Sequence, residues 1–133
     1  MSKPQGRSRI RVGTSSVTIV VTEQQIYSGK EGDMPEVELA TGASVIYQLD
    51  AAASAKYAYM KKKDEAFRLA IGGQPNQNSK VTIKRIDGNT LSVTMKKHAT
   101  LWEGKATLGF DARPGGGAQT PPPLDPIIIN GGG

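Results

Sequence analysis

Arginine at every second position from Arg7 to Arg11 is the pattern in this chain best suited to a specific chemical task. In extended backbone, Arg7, Arg9 and Arg11 stand on one side at intervals of about 6.6 Å, with Ile10 and Val12 on the other. That interval suits successive phosphates of a nucleic-acid strand, which guanidinium groups grip bidentately. It suits a row of carboxylates equally well. Glu36 and Glu38 form such a row at the same period, with Val37 and Leu39 interleaved. Pairing of these two strands, within one copy or across two, therefore competes with phosphate binding as an explanation. A solvated basic leader is the plainer alternative to both.

A second basic set comprises Lys61, Lys62, Lys63, Lys80, Lys84, Arg85, Lys96 and Lys97. A single-strand binder ordinarily adds exposed aromatics that stack on bases. The aromatics here are few (Tyr57, Tyr59, Phe67, Trp102 and Phe110 among them), and a core has first claim on most of these. For the nucleic-acid reading, the candidate contacts are Arg7, Arg9, Arg11, Lys61, Lys62, Lys63, Lys84 and Arg85.

Catalytic chemistry finds little to work with. His98 is the only histidine and the chain has no cysteine. A Cys/His nucleophile is excluded, and a Ser-His-Asp site would hang on His98 alone. Glu31, Asp33, Glu36 and Glu38 are the one acidic cluster, and their spacing does not match a calcium loop. Gly29-Lys30 and Gly72-Gly73 lack the rest of any phosphate-binding motif. The expectation is a protein that is not an enzyme, with no catalytic residues, metal ligands or cofactor.

The 133 residues are enough for one hydrophobic core, with tails. The net charge of +5 is segregated along the chain. Residues 1–11 carry four bases and no acid; residues 12–50 sum to −5; residues 56–97 sum to +7. Such separation favours either an external polyanion or copies of the same chain. No apolar run approaches ~18 residues and the basic start lacks the apolar core of a secretory signal, so neither a membrane span nor a signal peptide is expected.

The elements that must position these groups read mostly as strands. Arg9 to Val12, Val17 to Val21, Glu36 to Leu39 and Ser44 to Leu49 are β-branched or alternating, and residues 29–35 read as a loop. Residues 50–71 predict a helix capped by Asp50 and stopped by Gly72-Gly73, with a hairpin over the same residues as its rival. Val81 to Ile86 and Thr90 to Met95 predict a hairpin. A three-residue loop, Asp87-Gly88-Asn89, sets Ile83 opposite Val93 and Val81 opposite Met95, with Asn89 left-handed. A second hairpin is expected to turn at Glu103-Gly104. The fold class that follows is α+β: mostly antiparallel sheet, as a sandwich or barrel-like sheet, with one helix and extended N- and C-terminal arms. The division is a basic arm or edge strand over residues 1–12, a β-rich core over 13–113 and a Gly/Pro-rich arm over 114–133.

That last arm carries the clearest functional signal. It holds Gly115-Gly116-Gly117, Pro121-Pro122-Pro123 and then Ile127-Ile128-Ile129. Three isoleucines on a Gly/Pro tether are unfavourable in water unless they dock, and a strand-prone triplet can add to a sheet edge. The prolines favour an extended reach of about 3.1 Å per residue. The expected function is a self-assembling structural subunit, such as a phage-type capsid, decoration or tail protein, in the virion or the cytoplasm. Its expected contacts are Leu124, Ile127, Ile128, Ile129, Arg7, Arg9, Arg11, Glu36 and Glu38. Its expected partners are copies of itself and other structural subunits, with nucleic acid as the alternative.

Overall fold

The computed structural model describes residues 7–12, 16–22, 26–27, 34–97, 101–115 and 126–132. Among these the strands are β1 (Arg7–Val12), β2 (Ser16–Val21), β3 (Ile26–Tyr27), β4 (Met34–Ala40), β5 (Ser44–Leu49), β6 (Tyr57–Tyr59), β7 (Phe67–Ile71), β8 (Val81–Asp87), β9 (Thr90–Met95), β10 (Glu103–Leu108), β11 (Phe110–Ala112) and β12 (Ile127–Gly132). Two short helices, α1 (Ala51–Lys56) and α2 (Lys63–Ala66), complete the set, with a 3-10 turn at Asn78–Lys80. One five-stranded sheet runs β1-β4-β12-β10-β7 and a second runs β3-β2-β5-β9-β8, while β6 and β11 form a two-stranded ribbon. Parallel pairs (β1–β4, β4–β12, β2–β5) are mixed with antiparallel ones, and neither large sheet closes into a barrel. No helix among the described residues is long and apolar enough to cross a membrane.

The β-rich character follows from alternation. Leu91, Val93 and Met95 of β9 are buried, while Ser92 and Thr94 between them are half-buried. Val45, Tyr47 and Leu49 of β5, Val37 and Leu39 of β4, and Ala106 and Leu108 of β10 repeat the pattern. These inward faces meet in one apolar cluster drawn from both large sheets. Each fully buried aliphatic side chain contributes about 1.5–3 kcal/mol, so the two sheets are held mainly by this shared layer.

Strands β1, β2, β4 and β5 fall where the sequence predicts them. The helix over residues 50–71 does not form as one unit. Asp50 does cap a helix, its carboxylate accepting from the Ala53 N–H at 2.8 Å, but α1 ends after six residues. Tyr57 and Tyr59 then bury at the two-residue period of a strand, as do Phe67 and Leu69. An aromatic pair that reaches a core by alternation outweighs the mild helix preference of the alanines before it. The rival hairpin does not form either, because β6 pairs with β11 and β7 pairs with β10.

The β8–β9 hairpin has the expected register, Val81 opposite Met95 and Ile83 opposite Val93. The device that sets it is different. Asp87 pairs with Thr90 across a two-residue Gly88-Asn89 turn, and a bulge between Arg85 and Asp87 ejects Ile86 to 52% exposure. Asn89 is not left-handed; its N–H donates to the Asp87 carboxylate at 2.8 Å, which supports the turn instead. The expected turn at Glu103-Gly104 is overturned as well, since both residues lie inside β10. Gly104 is required there by crowding, because a Cβ would come within 2.7 Å of Leu69 Cδ1 and 3.0 Å of the Trp102 ring. Of the other expected arm, Ala99 to Trp102, Ala99 and Thr100 lie outside the described residues, and Leu101 and Trp102 are not in a strand.

Two buried features yield measurable consequences. Gly109 donates to the Ala66 carbonyl at 2.9 Å and accepts from the Met60 N–H at 3.1 Å, so it packs directly on α2. A Cβ there would collide with the Glu65 carbonyl oxygen. Gly109→Ala is expected to cost about 1–3 kcal/mol by overpacking, read as a lower urea midpoint. Tyr47 is fully buried, its hydroxyl has no hydrogen-bond partner among the described residues, and burial pushes its phenol far up. Tyr59, which donates to the Tyr47 carbonyl at 3.0 Å, is pushed up by burial and then by Tyr47. With native values above the unfolded value of about 10, the native state holds these protons longer, so stability falls as pH rises beyond that value. Tyr47→Phe removes an unsatisfied hydroxyl and is expected to raise neutral-pH stability by about 1 kcal/mol and to flatten the alkaline decline, both measured by urea unfolding across pH.

Candidate functional site

Strand β12 begins after Pro126, which is buried and whose carbonyl accepts from the Ala106 N–H at 2.8 Å. It lies between β4, to which it is parallel, and β10, to which it is antiparallel. Ile128 pairs with Val37 and Gly104 and is fully buried, while Ile129 is 9% exposed. Asn130 is buried and its N–H donates to the Trp102 carbonyl at 2.8 Å. The isoleucine triplet therefore does not add to a sheet edge, as the sequence suggests, but fills the middle of a sheet within one chain.

The register brings the arginine and glutamate rows of the sequence side by side. Arg9 lies opposite Glu36 and Arg11 opposite Glu38 in the parallel β1–β4 pair, and Arg7 lies opposite Met34. Continuing across the sheet, Glu36 lies beside Ile127 and then Lys105, and Glu38 beside Ile129 and then Glu103. Strand pairing thus joins Arg9, Glu36, Ile127 and Lys105 in one row. Leu124, His98, Glu31 and Asp33 lie outside the described residues. Among the described residues no group of carboxylates or histidines has the arrangement of a metal site.

The basic candidates separate into different environments. Lys61 and Lys62 are exposed at the bend before α2, and Lys84 is exposed on β8. Arg85 is engaged internally: its Nη2 and Nε donate to the Tyr59 carbonyl at 3.1 and 3.3 Å. Arg113 has the same kind of role, with Nε donating to the Tyr57 carbonyl at 2.9 Å and Nη2 to Asn89 Oδ1 at 2.6 Å. These two guanidinium groups satisfy carbonyls of β6 and tie the small ribbon to the β8–β9 turn.

Lys63 belongs to a third environment, a cleft of about 650 Å³ also lined by Asp64, Arg68, Asn78, Ser79, Thr82 and Lys96. Arg68 comes from β7 and Thr82 from β8, so the cleft lies where edge strands of the two large sheets come together. Asn78 fixes its wall. The Asn78 Oδ1 accepts from the Leu69 N–H at 2.8 Å, and its Nδ2 donates to the Phe67 carbonyl at 2.8 Å and to Asp64 Oδ1 at 3.2 Å. Asn76, also in the lining, is the one non-glycine residue with positive φ among those described, at 64°. Asparagine tolerates that conformation better than most residues. Lys63, Arg68 and Lys96 have no salt-bridge partner among the described residues, and Asp64 is the one carboxylate in the lining. The arrangement concentrates uncompensated positive charge on a polar wall held by backbone-directed hydrogen bonds.

Sequence reasoning does not anticipate Asn76, Asn78, Ser79 or Arg68. The segment 74–79 reads as an unremarkable polar loop, and only the meeting of β7 with β8 turns it into a wall. No family model matches the chain, and no curated protein matches it. The wall itself can be tested. Asn78→Ala strips partners from the Leu69 N–H and the Phe67 carbonyl and is expected to cost about 2 kcal/mol, with amide exchange at Leu69 accelerating more than exchange in β9.

Proposed function

We propose that the protein is a non-enzymatic, self-assembling structural subunit, in which the C-terminal strand of one copy completes the sheet of the next. A phage-type virion component (capsid, decoration or tail protein) is the form this takes by architectural analogy: a β-rich body whose last strand follows a Gly/Pro-rich connection. The observation that carries the reading is the seat of β12. It occupies the centre of a five-stranded sheet, yet it is reached through a connection, residues 113–126, rich in glycine and proline.

The physical argument concerns the connection and not the contacts. A strand that fills a slot between β4 and β10 gains the same hydrogen bonds and buries the same Ile128 whether it arrives from its own chain or from a neighbour. What differs is the effective concentration set by the tether, which falls slowly as a flexible tether lengthens. Exchange of an identical element is a low-cost route to oligomers, and a chain of one-way donations builds rings or tubes. The arginine and glutamate rows sit on the same sheet as the slot, so β1 and β4 form the flank against which an arriving strand aligns.

Removing the strand outright is a poor test, because it also removes part of the core. The absence of native cysteine offers a cleaner one. Glu103 and Ile129 are direct partners across β10 and β12. Protein carrying Glu103→Cys is mixed with protein carrying Ile129→Cys, oxidised, and mapped by mass spectrometry. A disulfide joining positions 103 and 129 of different chains is the expected result, together with oligomers in light scattering. If the bond forms only in a chain carrying both substitutions, and the mixture stays monomeric, the strand is a fixed part of its own subunit and the assembly reading fails.

A further inference from the structure

The basic cleft has no role in strand exchange, and its composition points to a ligand. Three cations from separate elements, Lys63 of α2, Arg68 of β7 and Lys96 following β9, converge on it against the single carboxylate of Asp64. Like charges gathered on one concavity repel one another and focus a positive potential that an anion relieves. The polar lining adds Asn76, Ser79 and Thr82, which donate hydrogen bonds suited to phosphate oxygens. The wall is held by the three hydrogen bonds of Asn78, so the donors are positioned before any ligand arrives.

We infer that this cleft binds the phosphodiester backbone of a nucleic-acid strand without reading its bases. Three features select that class. The cleft volume of about 650 Å³ is far more than one phosphate group fills. Its lining contains no aromatic side chain, so nothing in it stacks on a base and the contacts fall to the backbone. Positive charge also continues beyond it through exposed Lys61, Lys62 and Lys84, as a strand longer than the cleft requires. The inference is independent of β12 and stands or falls separately from the assembly reading.

The test is fluorescence anisotropy of the full chain with a labelled single-stranded oligonucleotide across a salt series. Each phosphate neutralised on a single strand contributes about 0.7 to the log–log salt slope, so three contacts weaken binding roughly 20-fold between about 50 and about 200 mM salt. The triple variant Lys63→Gln, Arg68→Gln, Lys96→Gln is expected to lose about 2 from that slope. A control with the same charge removed away from both the cleft lining and this basic track, Lys56→Gln, Lys97→Gln, Lys105→Gln, is expected to lose less than half as much. Circular dichroism and urea midpoints of both variants establish that they fold. Three outcomes overturn the proposal: no binding by the unaltered chain at low salt, equal loss in cleft variant and control, or displacement by a mononucleotide as effective as that by the strand at equal phosphate concentration. The last would make the cleft a site for a small phosphorylated molecule instead.

Discussion

The pairing of β12 with both β4 and β10 is the constraint on which the larger part of the molecule depends. Without it the first sheet falls into two fragments, β1–β4 and β10–β7, joined by no hydrogen bond between described residues. Ile128 would leave a void between Val37 and Gly104, and voids of this size in a packed core cost several kcal/mol. Gly104 shows how closely the slot is cut. Its missing side chain leaves room for Leu69 and Trp102, and Trp102 in turn gives its carbonyl to the Asn130 N–H. The last strand of the chain therefore fastens elements that are far from it in sequence. Long-range parallel pairing of this kind forms late and slowly, because the loop-closure entropy must be overcome before any contact is made.

A second fastening holds the opposite class of element, the short ribbon of β6 and β11. Tyr59 stacks on Phe110 with centroids 5.0 Å apart, and Tyr57 meets the same ring at 6.2 Å. The carbonyls of both tyrosine residues accept from guanidinium groups, Tyr57 from Arg113 and Tyr59 from Arg85. Charge-assisted bonds to backbone carbonyls are stronger than neutral ones. Two arginines that look like surface charge in the sequence are thus committed to the fold. The positive charge left for a ligand sits elsewhere, on Lys63, Arg68 and Lys96.

Much of the fold was legible wherever alternation alone decides the outcome. The strands β1, β2, β4 and β5 and the β8–β9 register follow from which side chains must be buried, and a one-residue slip would expose Ile83 and Val93 together. Legibility ended where a local signal and a distant partner disagreed. The alanine run after Asp50 begins a helix, but Tyr57 and Tyr59 are drawn to Phe110, more than fifty positions away, and the helix stops. Glu103-Gly104 has the composition of a turn, but pairing with Ile129 and Ile128 on one side, and of Gly104 with Ile71 on the other, makes it the start of a ladder strand. The site was legible to a smaller degree. Paired arginine and glutamate rows can be read from their common period, whereas the cleft depends on Asn78 bonding to Leu69 and Phe67, a contact that no spacing encodes.

The β12 slot and the basic cleft are linked through the sheet itself. From β12 the hydrogen-bond ladder passes to β10 and then to β7, which carries Arg68 into the cleft and whose Leu69 N–H anchors Asn78. Among the described residues β10 is the one strand beside β7 in its sheet, and Asn78 bonds to β7 as well. Among the described residues, β10 in turn has β12 as its other neighbour. The slot and the wall are therefore connected through two strands, β10 and β7. Energetic coupling of this kind needs an element with two arrangements, slot filled or slot empty, biased from either end. If the slot can stand empty, β10 and β7 are the strands that carry its effect to the wall.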